Sequence, residues 1–200
     1  MVVVALPRGG VPVAYEVGRA LRSPVDIIVV RKIGAPGHPE LACGAISSGG
    51  VTIWNNGVLR ALGLSKSDLD QTIRDEEFEL RRRESLLRTD QTPPIDVAGT
   101  SVVLVDDGIA TGASLKAALD ALKLKSASEI VIALPVGPDE TCRKFEDNGF
   151  SVVCPLRVAK GQFSSVGEWY DDFSQVSTSE CRDLLLQSRA TRSSGYAQAF

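Results

Sequence analysis

Ligands for metals and cross-links for small folds are both scarce in this sequence. There is one histidine, His38, and the four cysteines, Cys43, Cys142, Cys154 and Cys181, stand far apart with no C-x-x-C pair. A zinc centre needs clustered ligands at short spacing, so none is expected. Cys142 and Cys154 fall in apolar patterns, the usual setting of a buried free thiol, and reduced thiols point to the cytosol. Long apolar runs are missing as well. Residues 2–6 form a run of five before Pro7, too short for a signal peptide or a membrane helix, and no later run reaches spanning length. Nor is positive charge in excess. The net charge is −3 and the isoelectric point about 5.3, so there is no global basic field to recruit nucleic acid. No internal repeat, low-complexity tract or helix-turn-helix segment is present. The expectation is a soluble cytoplasmic protein with neither membrane nor nucleic-acid partners, though a local basic site remains open.

Apolar residues are plentiful enough to fill a core. They make up 44% of 200 residues, the length of one domain or of one domain with a small appendage. Residues 2–6 read as a strand buried on both faces, broken by Pro7-Arg8-Gly9-Gly10. Residues 11–21 follow as a helix with Val13, Val17 and Leu21 on one face, and 26–30 as a second apolar strand. The Gly- and Pro-rich stretch 31–50 reads as loop with room for one short strand. Residues 51–54 form another strand, closed by the turn signal Asn55-Asn56-Gly57. A long charged helix spans about 67–88, with Asp68 early and Arg81, Arg82, Arg83 and Arg88 late, the order that suits the helix dipole. It reads as a solvated helix that packs through Leu69, Ile73, Leu80 and Leu87. After Pro93-Pro94 strands at 101–105, 129–134 and 151–154 alternate with helices at 113–122 and 139–148, which implies a parallel sheet. The tail beyond Gln187 is polar and rich in small residues, as a fraying end is.

The chemistry is concentrated in residues 102–114, Val-Val-Leu-Val-Asp-Asp-Gly-Ile-Ala-Thr-Gly-Ala-Ser. A buried strand delivers two adjacent carboxylates, Asp106 and Asp107, to its carboxyl end, where open α/β sheets bind ligands. A short loop with two glycines follows, and then a helix begins. Glycines let the backbone approach a phosphate, and the free amides of a helix start point at it. Thr111 and Ser114 add hydroxyl donors. A nucleoside triphosphate loop would need G-x-x-x-x-G-K-[ST] and a dinucleotide loop G-x-G-x-x-G, and neither occurs. A sugar phosphate suits the set, its phosphate on the loop and its ribose hydroxyls donating to the acids. The plainer reading, an Asx turn plus a helix cap, explains one acid and not the whole run.

These thirteen residues resemble the 5-phosphoribosyl-1-pyrophosphate (PRPP) motif of type I phosphoribosyltransferases: four apolar residues, two acids, then G-x-x-T-G-x-[ST]. The resemblance implies a three-layer α/β/α core on a parallel sheet over residues 1–155, including a charged helical insertion at about 58–92. A small hood with a C-terminal helix or tail would occupy 156–200. It further implies that Gly108, Ile109, Ala110, Thr111, Gly112, Ala113 and Ser114 hold the 5-phosphate of PRPP, and that Asp106 and Asp107 hold the 2- and 3-hydroxyls. Arg8, Gly9 and Gly10, in the loop after the first strand, would receive the pyrophosphate, which makes Arg8, Asp106 and Asp107 the catalytic candidates. Arg31 and Lys32 stand where the family also carries basic residues and are expected at the pyrophosphate or the substrate, against the plainer reading of a solvated strand end. His38 is a general-base candidate, against that of an exposed loop histidine.

Beyond the motif the chain resembles a less characterised branch of the family, on residues 6–15, 30–44, the charged insertion and 163–173. In that last segment Phe163, Trp169, Tyr170 and Phe173 would either stack on an acceptor base as part of the hood or pack among themselves. Magnesium is implied as a passenger of PRPP with no direct protein ligand, and a homodimer is the expected assembly. Family chains usually start with a helix before the first strand whereas this one starts on the strand, so a shortened N-terminus is expected. The implied reaction moves phosphoribose from PRPP to an unidentified acceptor, in the first instance a nitrogenous base, and releases pyrophosphate. The protein's part would be placement and charge stabilisation. Two other readings stand beside it: a PRPP or nucleotide sensor that regulates without turnover, and a hydrolase of a ribose-phosphate ester, for which no nucleophile motif such as G-x-S-x-G is present.

Overall fold

The computed structural model describes residues 1–159 and 161–193. From the N-terminus it runs β1 (Val2–Ala5), α1 (Gly10–Leu21), β2 (Val25–Ile27), β3 (Val30–Ala35), β4 (His38–Ser47), β5 (Val51–Trp54), α2 (Asn56–Leu62) and, after a 3-10 turn at Lys66–Leu69, α3 (Asp70–Leu87). It continues with β6 (Ser101–Val105), α4 (Ala113–Leu124), β7 (Glu129–Ala133), β8 (Val136–Pro138), α5 (Asp139–Asp147), β9 (Ser151–Val153), β10 (Leu156–Val158), a second 3-10 turn at Val166–Trp169 and α6 (Thr178–Ser193).

Alternate side chains of a strand point to opposite faces of its sheet, and that period organises the core. Val3, Ala5, Val103 and Val105 pack on one side with Val11 and Ala14 of α1 and with Cys181 and Leu185 of α6. Val2, Val4, Val102 and Leu104 pack on the other side with Leu115, Ala118 and Leu119 of α4 and Cys142 of α5. The sheet between these layers is all parallel, in the order β2-β1-β6-β7-β9. This is the expected three-layer α/β/α architecture. Because β1 and β6 are neighbours with Ala5 opposite Val105, the loops that follow them emerge side by side at the carboxyl edge. No helix among the described residues is long and apolar enough to cross a membrane.

Several local expectations are corrected. Residues 31–50 are not mainly loop: β3 and β4 form an antiparallel hairpin and β5 adds a third strand. Ile33, Ala35, Cys43 and Ile46 supply its buried side. Pro36-Gly37 and Gly49-Gly50, with φ of +75° at Gly37, +83° at Gly49 and +76° at Gly50, make the turns that looked like loop. The second strand stops at Ile27 rather than Val30: the amide of Ile28 makes a last bond to the carbonyl of Ala5 at 3.0 Å, and the amide of Val29 donates instead to the hydroxyl of buried Ser48 at 2.8 Å. Asn55 does not close a turn but caps α2, accepting from the amide of Val58 at 3.2 Å. Val13 and Val17 pack against the core as expected, but Leu21 is exposed, and the fully buried positions of α1 are Gly10, Val11, Ala14 and Gly18. The last helix continues past Gln187 to Ser193; the part of the polar tail after 193 lies outside the described residues.

One buried carboxylate ties the insertion to the core. Asp26 on β2 accepts from Arg88, at the end of α3, at 2.6 Å and from the amide of Ile95 at 2.7 Å. Arg189 of α6 stands 3.6 Å away and donates to the carbonyl of Val25 at 3.1 Å. Three distant segments thus converge on one charge that would be costly to leave alone in the core.

Candidate functional site

β1 carries Leu6, Pro7 and Arg8 to the sheet edge, where the Pro7–Arg8 peptide is cis and α1 begins at Gly10. Beside it β6 carries Asp106 and Asp107. The two loops are in contact, and glycine is what allows it. A Cβ on Gly9 would stand 1.7 Å from Asp107 Oδ2, and one on Gly10 would stand 2.9 Å from Asp106 Cα and from the carbonyl of Val105. The R-G-G turn and the acid pair therefore form one surface.

The loop from 108 to 112 is held from behind and open in front. The amide of Ile109 donates to the carbonyl of Val136 at 3.1 Å, the hydroxyl of Thr141 donates to the carbonyl of Ala110 at 3.1 Å, and the hydroxyl of Tyr170 donates to the carbonyl of Asp107 at 2.6 Å. Gly112 has φ +77° and lies where a Cβ would meet the Phe145 ring at 2.8 Å, so both conformation and space call for glycine. Ala110, Thr111, Ala113 and Ser114 face solvent. No side chain caps the start of α4, which leaves its first amides available to an anion.

The acids are half-buried and act on each other. Burial first, and then the charge of Asp107, pushes Asp106 up to about 8. Burial also raises Asp107, opposed by hydrogen bonds from Asp106 and from the backbone at 107 and 108. The pair titrates as a unit and holds a proton near neutral pH. The hydroxyl of Tyr170 is pushed up to about 12, by burial and then by the charges of Asp107 and Asp106, so it stays a donor. In front lies a cleft of about 630 Å³. Its floor is Leu6, Pro7, Arg8, Asp106 and Ser114; Val29 and Val30 line one side, Gln175 and Thr178 another, and Arg82, Arg83, Leu86 and Leu87 of α3 close it. A cleft with a guanidinium and one acid on its floor, beside an open helix start and a second acid, suits a phosphorylated sugar.

A model of the phosphoribosyl transferase domain matches residues 1–168. The chain belongs to that family. Two Mycobacterium tuberculosis proteins, MT0597 of strain CDC 1551 / Oshkosh and Rv0571c of strain H37Rv, both named "Putative phosphoribosyl transferase", are 43% identical to it over 180 residues. The match covers 90% of this chain but 40% of theirs, so the chain spans less than half the length of these relatives. Among solved structures, TT1426 from Thermus thermophilus aligns with a TM-score of 0.82 at 38% identity, over 93% of this chain and 86% of that one.

Within this phosphoribosyl transferase domain the residues singled out from sequence divide into two groups. Arg8, Gly9, Gly10, Asp106, Asp107 and the 108–114 loop are brought together. Arg31 and Lys32 are not with them: they line a separate hollow of about 420 Å³ between the β3–β4 hairpin and α3. Arg31 pairs with Glu76 at 2.6 Å and Lys32 with Glu40 at 3.1 Å. His38 is exposed at the start of β4, away from the cleft lining. Of the hood candidates, Tyr170 braces the acid loop by donating to the backbone carbonyl of Asp107 and packs against Phe173, ring centres 5.1 Å apart and planes tilted by 46°. Trp169 is partly exposed, and among the described residues no aromatic side chain lines the cleft. Arg82 and Arg83 were legible only as a solvated helix face. The run of three arginines before Leu86-Leu87 was their signal, and it means little until α3 is placed over the cleft.

Proposed function

We propose that the cleft binds PRPP and that the protein transfers its phosphoribosyl group to an acceptor nucleophile. The contact of the Arg8-Gly9-Gly10 turn with the Asp106–Asp107 pair carries this reading, because it sets an anion-receiving turn beside acceptors for a diol. The 5-phosphate rests on the amides and hydroxyls of 108–114, and the ribose hydroxyls donate to Asp106 and Asp107. The turn at 7–10 takes the pyrophosphate. As the bond from C1 to the pyrophosphate oxygen breaks, C1 gains positive character and its electron pair leaves with the pyrophosphate. The acceptor's lone pair then forms the new bond to C1. The acid pair lies near the developing cation and Arg8 near the departing anion, a fixed electrostatic arrangement that favours charge separation.

Magnesium, when bound, neutralises the leaving pyrophosphate. Among the described residues no three His, Cys, Asp or Glu side chains converge as a metal site. Asp106, on the cleft floor, and Asp107 next to it in the loop are the acids that would meet a cation carried in on the substrate.

The test is pyrophosphate release from magnesium-PRPP with a panel of acceptors. Release that depends on an acceptor supports transfer. Binding of PRPP without release favours a sensor, and release with water alone favours a hydrolase.

A further inference from the structure

The insertion helix gives the cleft a second basic wall. Arg82 and Arg83 both line it, on an element separate from the two loops assigned above to the ends of PRPP. Glu79 is shared between them: Arg82 Nε donates to it at 2.7 Å and Arg83 Nε at 2.8 Å. One carboxylate against two guanidiniums leaves a positive charge unbalanced. The two guanidiniums hold Glu79 down at about 2, so this count is constant over any working pH. Among the described residues the terminal nitrogens of Arg83 carry no hydrogen bond, and both arginine side chains remain about half exposed. A guanidinium with an open fork is built for a two-oxygen anion. The rest of that wall is aliphatic, Leu86 and Leu87, and among the described residues no aromatic ring lines the cleft to stack on a neutral base.

We propose that Arg82 and Arg83 form an acceptor-side anion subsite, so that the nucleophile receiving phosphoribose carries a carboxylate or a phosphate. This rests on the transfer reading, and it changes the acceptor from a neutral base to an acid-bearing one. Leu86 receives the apolar body of the acceptor, and the arginine pair fixes its acidic end.

Calorimetry on the intact protein tests it, with heterocyclic carboxylates each matched with its own carboxamide, and a second series of phosphomonoesters matched with their alcohols. Each is titrated with and without magnesium-PRPP. At least one acid is expected to bind roughly tenfold or more tighter than its neutral partner, the worth of a charge-assisted hydrogen bond. Which series responds names the anion. Arg82→Gln/Arg83→Gln is expected to erase that preference while the Kd for magnesium-PRPP stays within about twofold. Since both side chains are half exposed, the variant is expected to fold, which its melting curve reports. Equal binding of acids and neutral partners, or no binding of any acid at millimolar concentration, overturns the subsite. A double variant that loses PRPP affinity as well overturns it too, because the arginines then serve the donor. Failure of the wild type to bind PRPP sinks the transfer reading separately, and the acid preference is still read without PRPP.

Discussion

At the residue scale the site depends on a missing side chain. Gly9 leaves the space that the Asp107 carboxylate fills, and the atom a methyl would strike is the end of a flexible side chain rather than backbone. Gly9→Ala is therefore expected to fold, with a melting temperature within a few degrees of wild type, but to push the carboxylate aside. The affinity for magnesium-PRPP is expected to drop roughly tenfold or more, the worth of a hydrogen bond to a charged group. Unchanged affinity would mean that the position of Asp107 is immaterial. Asp106 supplies a second residue-scale test. In the unfolded chain an aspartate titrates near about 3.9, whereas burial and then Asp107 push it up to about 8 in the fold. Between those values the folded state keeps a proton that the unfolded state has released. The resulting stability is full below about pH 4 and is lost as the pH rises through about 8. Melting temperatures of the ligand-free protein from pH 5 to 9 should fall less steeply for Asp106→Asn than for wild type, and parallel curves would show that the buried acid is not the cause.

At the scale of elements, α3 is held over the cleft by buried Leu80 and Leu87 and by an ion pair 62 positions apart in sequence, Arg88 on Asp26. Asp26→Ala would leave Arg88 without its buried partner, and the expected loss is about 3–5 kcal/mol of folding stability, read as a lower midpoint in denaturant. A loss below about 1 kcal/mol would show that α3 is held by its leucines alone. The same elements show how much of the fold was legible in advance. β1 and β6 are buried on both faces and β7 is buried on one and partly covered on the other, so each writes an apolar run, and α4 and α5 follow at parallel-sheet spacing. The β3–β4 hairpin has its apolar residues interleaved with glycine and proline, and its pairing comes from the partner strand. Local pattern could not separate it from loop. Asn55 likewise carries both a turn signal and a cap signal, and only the helix after it decides between them.

At the scale of the molecule, the loop proposed for the donor was legible as a unit because its chemistry is contiguous: acids, glycines and hydroxyls lie in thirteen consecutive residues, and a parallel sheet sends such a loop to its carboxyl edge. The wall proposed for the acceptor was not. Arg82 and Arg83 gain meaning only once the chain folds α3 back onto β3 and α6. Phe163, Trp169 and Tyr170 suggested stacking by composition, but Tyr170 supports the acid loop from behind and no described aromatic reaches the cleft wall. Everything proposed about turnover depends on PRPP sitting across the β1 and β6 loops. The direct measurement is calorimetric titration of magnesium-PRPP into the wild type and into Asp107→Asn. One-site saturable binding by the wild type is predicted, weakened roughly tenfold or more in Asp107→Asn with an unchanged cooperative melting curve. No binding by the wild type, or the same Kd for both proteins, would contradict it.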